Sequence, residues 1–287
     1  MIRNYFKIAY RNLLKYKTFS TINLLGLSFS MSVCLLIITI INDQLNHDNF
    51  HENKDRIYRI ITSISGNEGR SNSYLATTPM PIASAIKNDY HGVADAVSIS
   101  KSLNGDAKAN EKMIRVNGIF ADQSFLEIFS FELKSGDAST ALTEPYTVLL
   151  IEKTAQIFFG DIDPIGKIIE LENNGVYTIT GIIKDTPSKS HIRFDIVGSG
   201  STIPLLEKSD ILGEKIVGQW DNPNSSYVYI LIEEGINPNV IQDHLNEISD
   251  KHAATREKNF FKFHLQKLSD ITPSKLMNNV FSPTLPI

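Results

Sequence analysis

Between Lys17 and Asp43 the chain carries no charged side chain, reading TFSTINLLGLSFSMSVCLLIITIIN. Wound as a helix at ~1.5 Å per residue, residues 21–41 reach roughly 31 Å, about the thickness of a bilayer's hydrocarbon core. A cleaved signal has a shorter apolar core of ~7–15 residues and closes on small residues of the A-x-A kind. This run instead ends Ile40-Ile41-Asn42-Asp43-Gln44-Leu45. One retained transmembrane helix over 21–41 is the expectation, and the rest of the chain must be distributed about it.

Charge sets the orientation. Residues 1–17 hold five Lys or Arg and no acidic residue, which leaves 23 basic against 32 acidic side chains elsewhere. Cytoplasmic flanks are rich in Lys and Arg, so the short N-terminus is expected inside and the large remainder outside. In IRNYFKIAYRNLLKYK, the apolar residues Ile2, Tyr5, Phe6, Ala9, Tyr10, Leu13 and Leu14 recur at helical spacing. Arg3, Lys7, Arg11 and Lys15 form a second stripe. That pattern predicts a basic amphipathic helix within residues 1–20, lying on the membrane surface. Its basic stripe suits anionic lipid or an acidic cytoplasmic partner, with a plain positive-inside flank the first reading and docking of a partner the second. Within the apolar run, Gly26, Ser30 and Cys34 fall four apart with Asn23 nearby. Small residues at that spacing admit a second membrane helix, and they are also ordinary in membrane helices.

About 240 residues remain outside, enough for one large domain or two lobes with real cores. A net charge of −4 argues against a general nucleic-acid binder. The single cysteine, Cys34, lies in the apolar run, so no disulfide within the chain can form.

The outer part reads as α+β. Residues 56–65 form a first strand, and TTPMPIASAIKNDY a helix entered through Pro79 and Pro81 with Ile82, Ala85 or Ala83, Ile86 and Tyr90 inward. Residues 94–100 give a second strand. A similar unit recurs at the end: a strand at 226–233, a helix capped by Asn237-Pro238 and running to about residue 254, and a strand at 260–268. Ile241, Leu245, Ile248 and His252 share one face of that helix. Between the two units, strands are expected at 112–117, 146–151, 167–172 and 177–184, with short helices at 122–129 and 152–159. Asn173-Asn174-Gly175 is a hairpin turn by composition. Residues 198–225 read as irregular, with Trp220 anchoring them to a core. The expected architecture is a membrane-proximal lobe of 45–101 and 223–271, built from the two β-α-β units, around an inserted, mainly β lobe of 102–222.

Chemistry is sparse. GDIDPIGKI at 160–168 imitates a phosphate loop but has five residues between its glycines instead of four, and Ile168 where a hydroxyl should bind magnesium. It also follows a helix where the motif precedes one, so nucleotide binding is rejected, and Gly160 and Gly166 read as backbone turns. Asp43, His47, Asp48, His51 and Glu52 crowd together without the H-E-x-x-H pattern, and a solvated juxtamembrane turn is the expectation. Asp185, His191 and Asp195 in KDTPSKSHIRFD suggest a structural turn in which Pro187, Ser188 and Ser190 satisfy the local backbone. There is no G-x-S-x-G, and the only thiol sits in the apolar run. No catalytic, metal or cofactor-binding residue is assigned, and the chain is not read as an enzyme.

Three runs carry a family resemblance: VNGIFADQSFLEIFSFELKSGD (116–137), LIEKTAQIFFGDIDPIGKIIEL (150–171) and YTITGIIKDTPSKSHIRFDIV (177–197). With HDNFHENKDRIYRI and the basic N-terminal helix, they resemble MacB/FtsX-like ABC transporter permeases. The likeness runs to about residue 271. It implies a bacterial inner-membrane protein with a periplasmic core domain over 42–271, its lobes corresponding to the porter-like and sabre-like lobes of the family. Phe158, Phe159, Gly160, Pro164 and Gly166 would then be a structural turn. ATP would be bound by a partner ATPase near residues 3–17. A second permease copy, membrane lipid and a periplasmic adaptor are the other implied partners. Residues 272–287 lack the apolar run that opens the family's second membrane helix, so the resemblance implies a tail leading to a membrane region outside this sequence. The implied function is coupling of ATP hydrolysis in the partner to motion of the outer domain, for export or for handling lipoprotein or peptide. The alternative is a single-pass receptor or binding module with an outer ligand-binding domain.

Overall fold

The structure, a computed structural model, describes residues 2–45, 47–65, 73–172, 174–185, 190–213, 215–253, 260–272 and 277–281. Contacts divide the chain into Met1–Asn46 and His47–Ile287.

In the first unit, α1 (Ile2–Lys15) and α2 (Lys17–Leu45) meet at Tyr16. Helical bonding continues across the junction, with Tyr16 N donating to Asn12 O at 3.1 Å and Ser20 N to Tyr16 O at 2.9 Å. The span Lys17–Asn42 is long and apolar enough to cross a membrane, and none of its most apolar stretch is buried against protein. Four of its hydroxyls are satisfied locally: Ser28, Ser30, Ser32 and Thr39 each donate to the carbonyl four residues back. A lipid environment requires that, because hydrocarbon offers no competing partner.

The second unit contains, in chain order, β1 (Ile57–Ser65), β2 (Ser73–Leu75), α3 (Pro81–Asp89), β3 (Val93–Ile99), β4 (Gly105–Ala109), β5 (Lys112–Val116), β6 (Gly118–Ala121), α4 (Ser124–Ile128) and β7 (Leu133–Gly136). There follow β8 (Thr147–Ile151), α5 (Glu152–Phe159), β9 (Ile168–Leu171), β10 (Gly175–Ile183), β11 (Ile196–Ser199), α6 (Ile203–Lys208), β12 (Tyr227–Ile232), α7 (Pro238–Ala253) and β13 (Phe260–Lys267). They form two sheets. The first has the order β13-β1-β12-β3, with β2 beside β1. Its neighbours are antiparallel, so β1-α3-β3 and β12-α7-β13 are two interleaved split β-α-β units. The second sheet runs β5-β4-β9-β10-β8-β11-β6 with β7 beside β10, and is drawn entirely from the middle of the chain. It is mixed, with parallel pairing of β10 to β8 and of β11 to β6.

Strand alternation explains the layers, since successive side chains point to opposite faces. On one face of the first sheet Ile60, Val228, Ile230 and Phe263 meet Ile82, Ala83 and Ile86 of α3, with Ile241, Leu245 and Ile248 of α7. On the other face Ile57, Val97, Tyr227 and Tyr229 pack with Phe125 and Ile128 of α4 and with Leu149, Ile183 and Val197 of the second sheet. One apolar core thus joins the two sheets. A third cluster, with Phe120, Val148, Phe158, Tyr177 and Leu206, fills the remaining face beneath α5 and α6.

Some local expectations need revision. Residues 198–225 are less irregular than they read: they hold the end of β11, a 3-10 turn at Gly200–Thr202 and α6. Of the two alanines proposed for the core face of α3, Ala83 is buried. Asn237 caps α7 by accepting from Asn239 N at 3.0 Å. The hairpin residue Asn173, Pro187 and Ser188 of the β10–β11 connection, and residue 254 at the expected helix end lie outside the described residues.

Candidate functional site

The expected solvated turn after the membrane helix is the main correction. Asp48 adopts a left-handed backbone with φ +58°, a conformation Asp tolerates better than most residues. Its side chain enters the protein interior, where Asp48 is 3 % and His51 1 % exposed. His51 packs among Phe50, Phe129 and Phe131, its ring centroid 4.0, 5.3 and 5.6 Å from theirs. Its Nδ1 donates to the Phe129 carbonyl at 2.5 Å. Aromatic stacking draws the turn inward, and the carboxylate it carries needs partners there.

Those partners come from the connection between β10 and β11. Ser190 Oγ donates to Asp48 Oδ1 at 2.5 Å, and His191 N lies 3.2 and 3.3 Å from the two carboxylate oxygens. His191 Nδ1 is 2.7 Å from Asp48 Oδ2, and its Nε2 is 2.7 Å from the hydroxyl of Tyr229 on β12. Burial alone pushes the Asp48 carboxyl up. The adjacent His191, with hydrogen bonds from His191 and Ser190, outweighs that and holds it well below the usual carboxylate range. Burial pushes His191 down more strongly than Asp48 raises it. The pair is therefore an ionised carboxylate beside a neutral imidazole. Nδ1–H donates to Asp48, and Nε2 accepts from the Tyr229 hydroxyl, whose own ionisation burial suppresses.

One strand over, Arg59 of β1 is register-paired with Tyr229 and is 1 % exposed. Its Nε and Nη2 both donate to Gln266 Oε1 on β13, at 3.2 and 2.7 Å. The Gln266 amide in turn donates to Asp270 O at 2.9 Å. The Tyr229 hydroxyl feels both Arg59 and Asp48. A continuous polar seam thus runs through the apolar core between the sheets.

The carboxylate–imidazole–hydroxyl order superficially imitates a catalytic relay. The geometry is wrong for one: Tyr229 and His191 are buried beneath side chains, and the Ser190 hydroxyl is spent on Asp48. Its chemistry is that of a fastening. Beside it, Asn117, Phe131, Ile183, Lys184, Arg193 and Phe194 line an open cleft of about 450 Å³. Among the described residues, no group of three or more His, Cys, Asp or Glu is placed to hold a metal.

The residues singled out from sequence lie elsewhere. Arg3, Lys7, Arg11 and Lys15 are exposed on α1, and Asn23, Gly26, Ser30 and Cys34 are exposed on α2. Phe158 and Phe159 are buried at the end of α5, Gly160 turns the chain at φ +61°, and Gly166 at φ +76° donates to Ile179 O at 2.8 Å. Pro164 is half-buried between them. Asp195 joins the backbone and side chain of Asn117, at 2.8 and 3.0 Å, and not His191. Asp185 is exposed at the cleft.

Similar architecture occurs in solved structures. A domain from a Porphyromonas gingivalis protein assigned as a permease superposes with a TM-score of 0.64 at 21% identity, covering 76% of this chain and 91% of that one. The extracellular domain of the noncanonic ABC-type transporter YknZ from Gram-positive bacteria gives 0.50 at 13% identity, covering 72% and 99%. At these identities the likeness is one of fold. Among curated proteins none matches the chain. The family model of the MacB-like periplasmic core domain, found in ABC transporter permeases, matches residues 20–248, and the chain belongs to that family.

Proposed function

We propose that the chain is the membrane-anchored permease component of an ABC transporter, coupling ATP hydrolysis by a separate ATPase to movement of its periplasmic domain. The observation that carries this reading is the burial of Asp48. It lies three residues beyond Leu45, the last residue of α2, yet it is bonded to His191 inside the folded domain. A displacement that reaches Asp48 is passed to packed core. Family membership supports the transporter assignment, and the charge bias of residues 1–17 supports a cytoplasmic N-terminus and periplasmic domain.

On this reading Arg3, Lys7, Arg11 and Lys15 contact the ATPase or anionic lipid, and Gly26, Ser30 and Cys34, with Asn23, contact another membrane helix, such as that of a second permease copy. A periplasmic adaptor is the further partner, and a lipoprotein, peptide or small amphiphile the cargo. Reversing the four α1 charges to Glu in the intact permease tests the docking surface: ATPase co-purification is expected to be lost while membrane insertion persists. Unchanged co-purification would leave α1 as a lipid-facing flank. The cleft beside Arg193 and Phe194 favours a second reading, a receptor or binding module. Saturable binding of a soluble ligand to the outer domain, with no ATPase associated, would put it ahead.

A further inference from the structure

The fastening of Asp48 has a counterpart at the other end of the domain. Residues 277–281 lie along β2: Asn278 N donates to Tyr74 O at 2.9 Å and Ala76 N to Asn278 O at 3.0 Å, a parallel bridge beside Leu75. Asn279 Nδ2 reaches Asn224 Oδ1 at 2.7 Å and Thr77 Oγ1 at 3.3 Å. Phe281 is then driven into the core, 4 % exposed, its ring centroid 4.7 Å from that of Tyr227. Lys101 closes over it, its Nζ 3.0 Å from the Phe281 carbonyl and 5.0 Å from the ring centroid.

Tyr227 and Tyr229 are two apart on β12 and so share one face. The segment flanking the domain on its N-terminal side is held through Tyr229 and His191, and the strap on its C-terminal side packs on Tyr227. Arg59 links the two fastenings again, since its Nη2 lies 3.9 Å from Met277 Sδ of the strap while it pairs in register with Tyr229. Two chain segments about 230 residues apart in the sequence thus converge on one face of a single central strand.

We infer that β12 is the junction through which the two flanking segments are coupled: Tyr229 and Tyr227 are positioning residues, and loosening either segment loosens the other. This rests on the proposed transporter role only for the source of the movement. The coupling itself belongs to the folded domain. Asp48 and Phe281 each hold a different segment, and β12, buried along most of its length, gives the disturbance a path between them.

Hydrogen exchange on the full chain in lipid nanodiscs, without ATPase or nucleotide, tests it. Tyr229→Phe removes one hydroxyl and keeps the ring, so the fold is retained. It is expected to raise exchange at least roughly fivefold at the Arg56 and Ile57 amides and also at the Ala76 and Asn278 amides that bond the strap to the β2 segment, while peptides covering α5 and β9 stay unchanged. Phe281→Leu should produce the reciprocal rise at Arg56 and Ile57. A rise confined to the segment next to each substitution overturns the inference, and so does an equal rise throughout the domain. Either failure leaves the transporter reading standing, since no step of the experiment involves the ATPase.

Discussion

Asp48 and His191 stand 143 residues apart in the chain and meet at 2.7 Å inside the domain, with the Tyr229 hydroxyl 2.7 Å beyond the same imidazole. The carboxylate receives donors from Ser190 and from the backbone and ring of His191, so it is desolvated but well supplied. Removing it leaves those donors buried without an acceptor. Asp48→Ala is expected to cost at least about 1–3 kcal/mol, the penalty for leaving a buried donor unsatisfied. Part of that cost is backbone strain, because Asp48 sits at φ +58°. Asn tolerates that conformation as Asp does. Asp48→Asn should therefore cost clearly less than Asp48→Ala, and urea unfolding of the two variants measures the difference.

Acid should weaken the domain in two stages. His191 is pushed below its usual value by burial, so below about pH 6.5 the unfolded chain takes up a proton that the folded domain does not. Its stabilisation is fully present above pH 6.5 and is lost as pH falls toward the folded value. Asp48, held low by His191 and its hydrogen bonds against the effect of burial, adds a second loss below about pH 4. Each group contributes a slope of at most ~1.4 kcal/mol per pH unit in its window. His264, also lowered by burial and by Lys262, adds to the first stage. Asp122 works the other way: partial desolvation and the nearby Asp95 raise it to about 6, so its contribution is present at low pH and is lost as pH rises from about 4 to 6, a small effect because the side chain keeps contact with solvent. Thermal melts from pH 8 to pH 4 should show a midpoint falling below pH 6.5. In His191→Asn the upper part of that fall should shrink, and an unchanged profile would assign it to other groups.

Trp220 is the only tryptophan, and it lies flat on His252 of α7, with centroids 3.6 Å apart and planes 10° from parallel. It ties the segment ahead of β12 to the helical face of the first sheet, where it packs at the edge of the core. His252→Ala should move Trp220 emission to longer wavelength as the ring gains water. The cost in stability should be about 0.5–1.5 kcal/mol, the range for an aromatic pair. Fluorescence and chemical unfolding of the same sample read both quantities. An unmoved emission maximum would mean that other contacts fix the indole.

Local signals made part of this fold legible. The apolar run, the proline-started α3, the Asn237-capped α7 and the β-branched strands all announce themselves within a few residues. Five strands escape notice: β2, β4 and β7 are short and partly exposed, and two others are of another kind. β6 (GIFA) and β11 (IVGS) are four residues long and buried on both faces. They have no alternation to detect, and glycine stands in each where another backbone or ring lies close. The polar seam was less legible still. Asp48 and His51 look like residues of a solvated turn because nothing nearby in the sequence predicts Phe129, His191 or Tyr229 as neighbours. The aromatic run FLEIFSF was the one available hint, since Phe125, Phe129 and Phe131 build the wall against which the turn packs.

Gly118 and Gly198 make that last point testable. A Cβ on Gly118 would meet the Leu103 carbonyl oxygen at 2.4 Å, and one on Gly198 would meet Leu103 Cδ2 at 2.7 Å and Phe120 at 3.0 Å. Neither glycine has a positive φ, so the demand is for space and not for backbone freedom. The two differ in what must yield. Leu103 Cδ2 is the end of a side chain that can change rotamer, whereas the Leu103 carbonyl belongs to the chain crossing from β3 to β4. Gly118→Ala must therefore displace backbone between the two sheets, and it is expected to cost more than Gly198→Ala. The cost for Gly198→Ala should fall in the ~1–3 kcal/mol range typical of overpacking, with Gly118→Ala at or above its upper end. Parallel urea titrations give the order. A larger loss in Gly198→Ala would show that the crossing segment yields more readily than the packed side chains of Phe120 and Leu103.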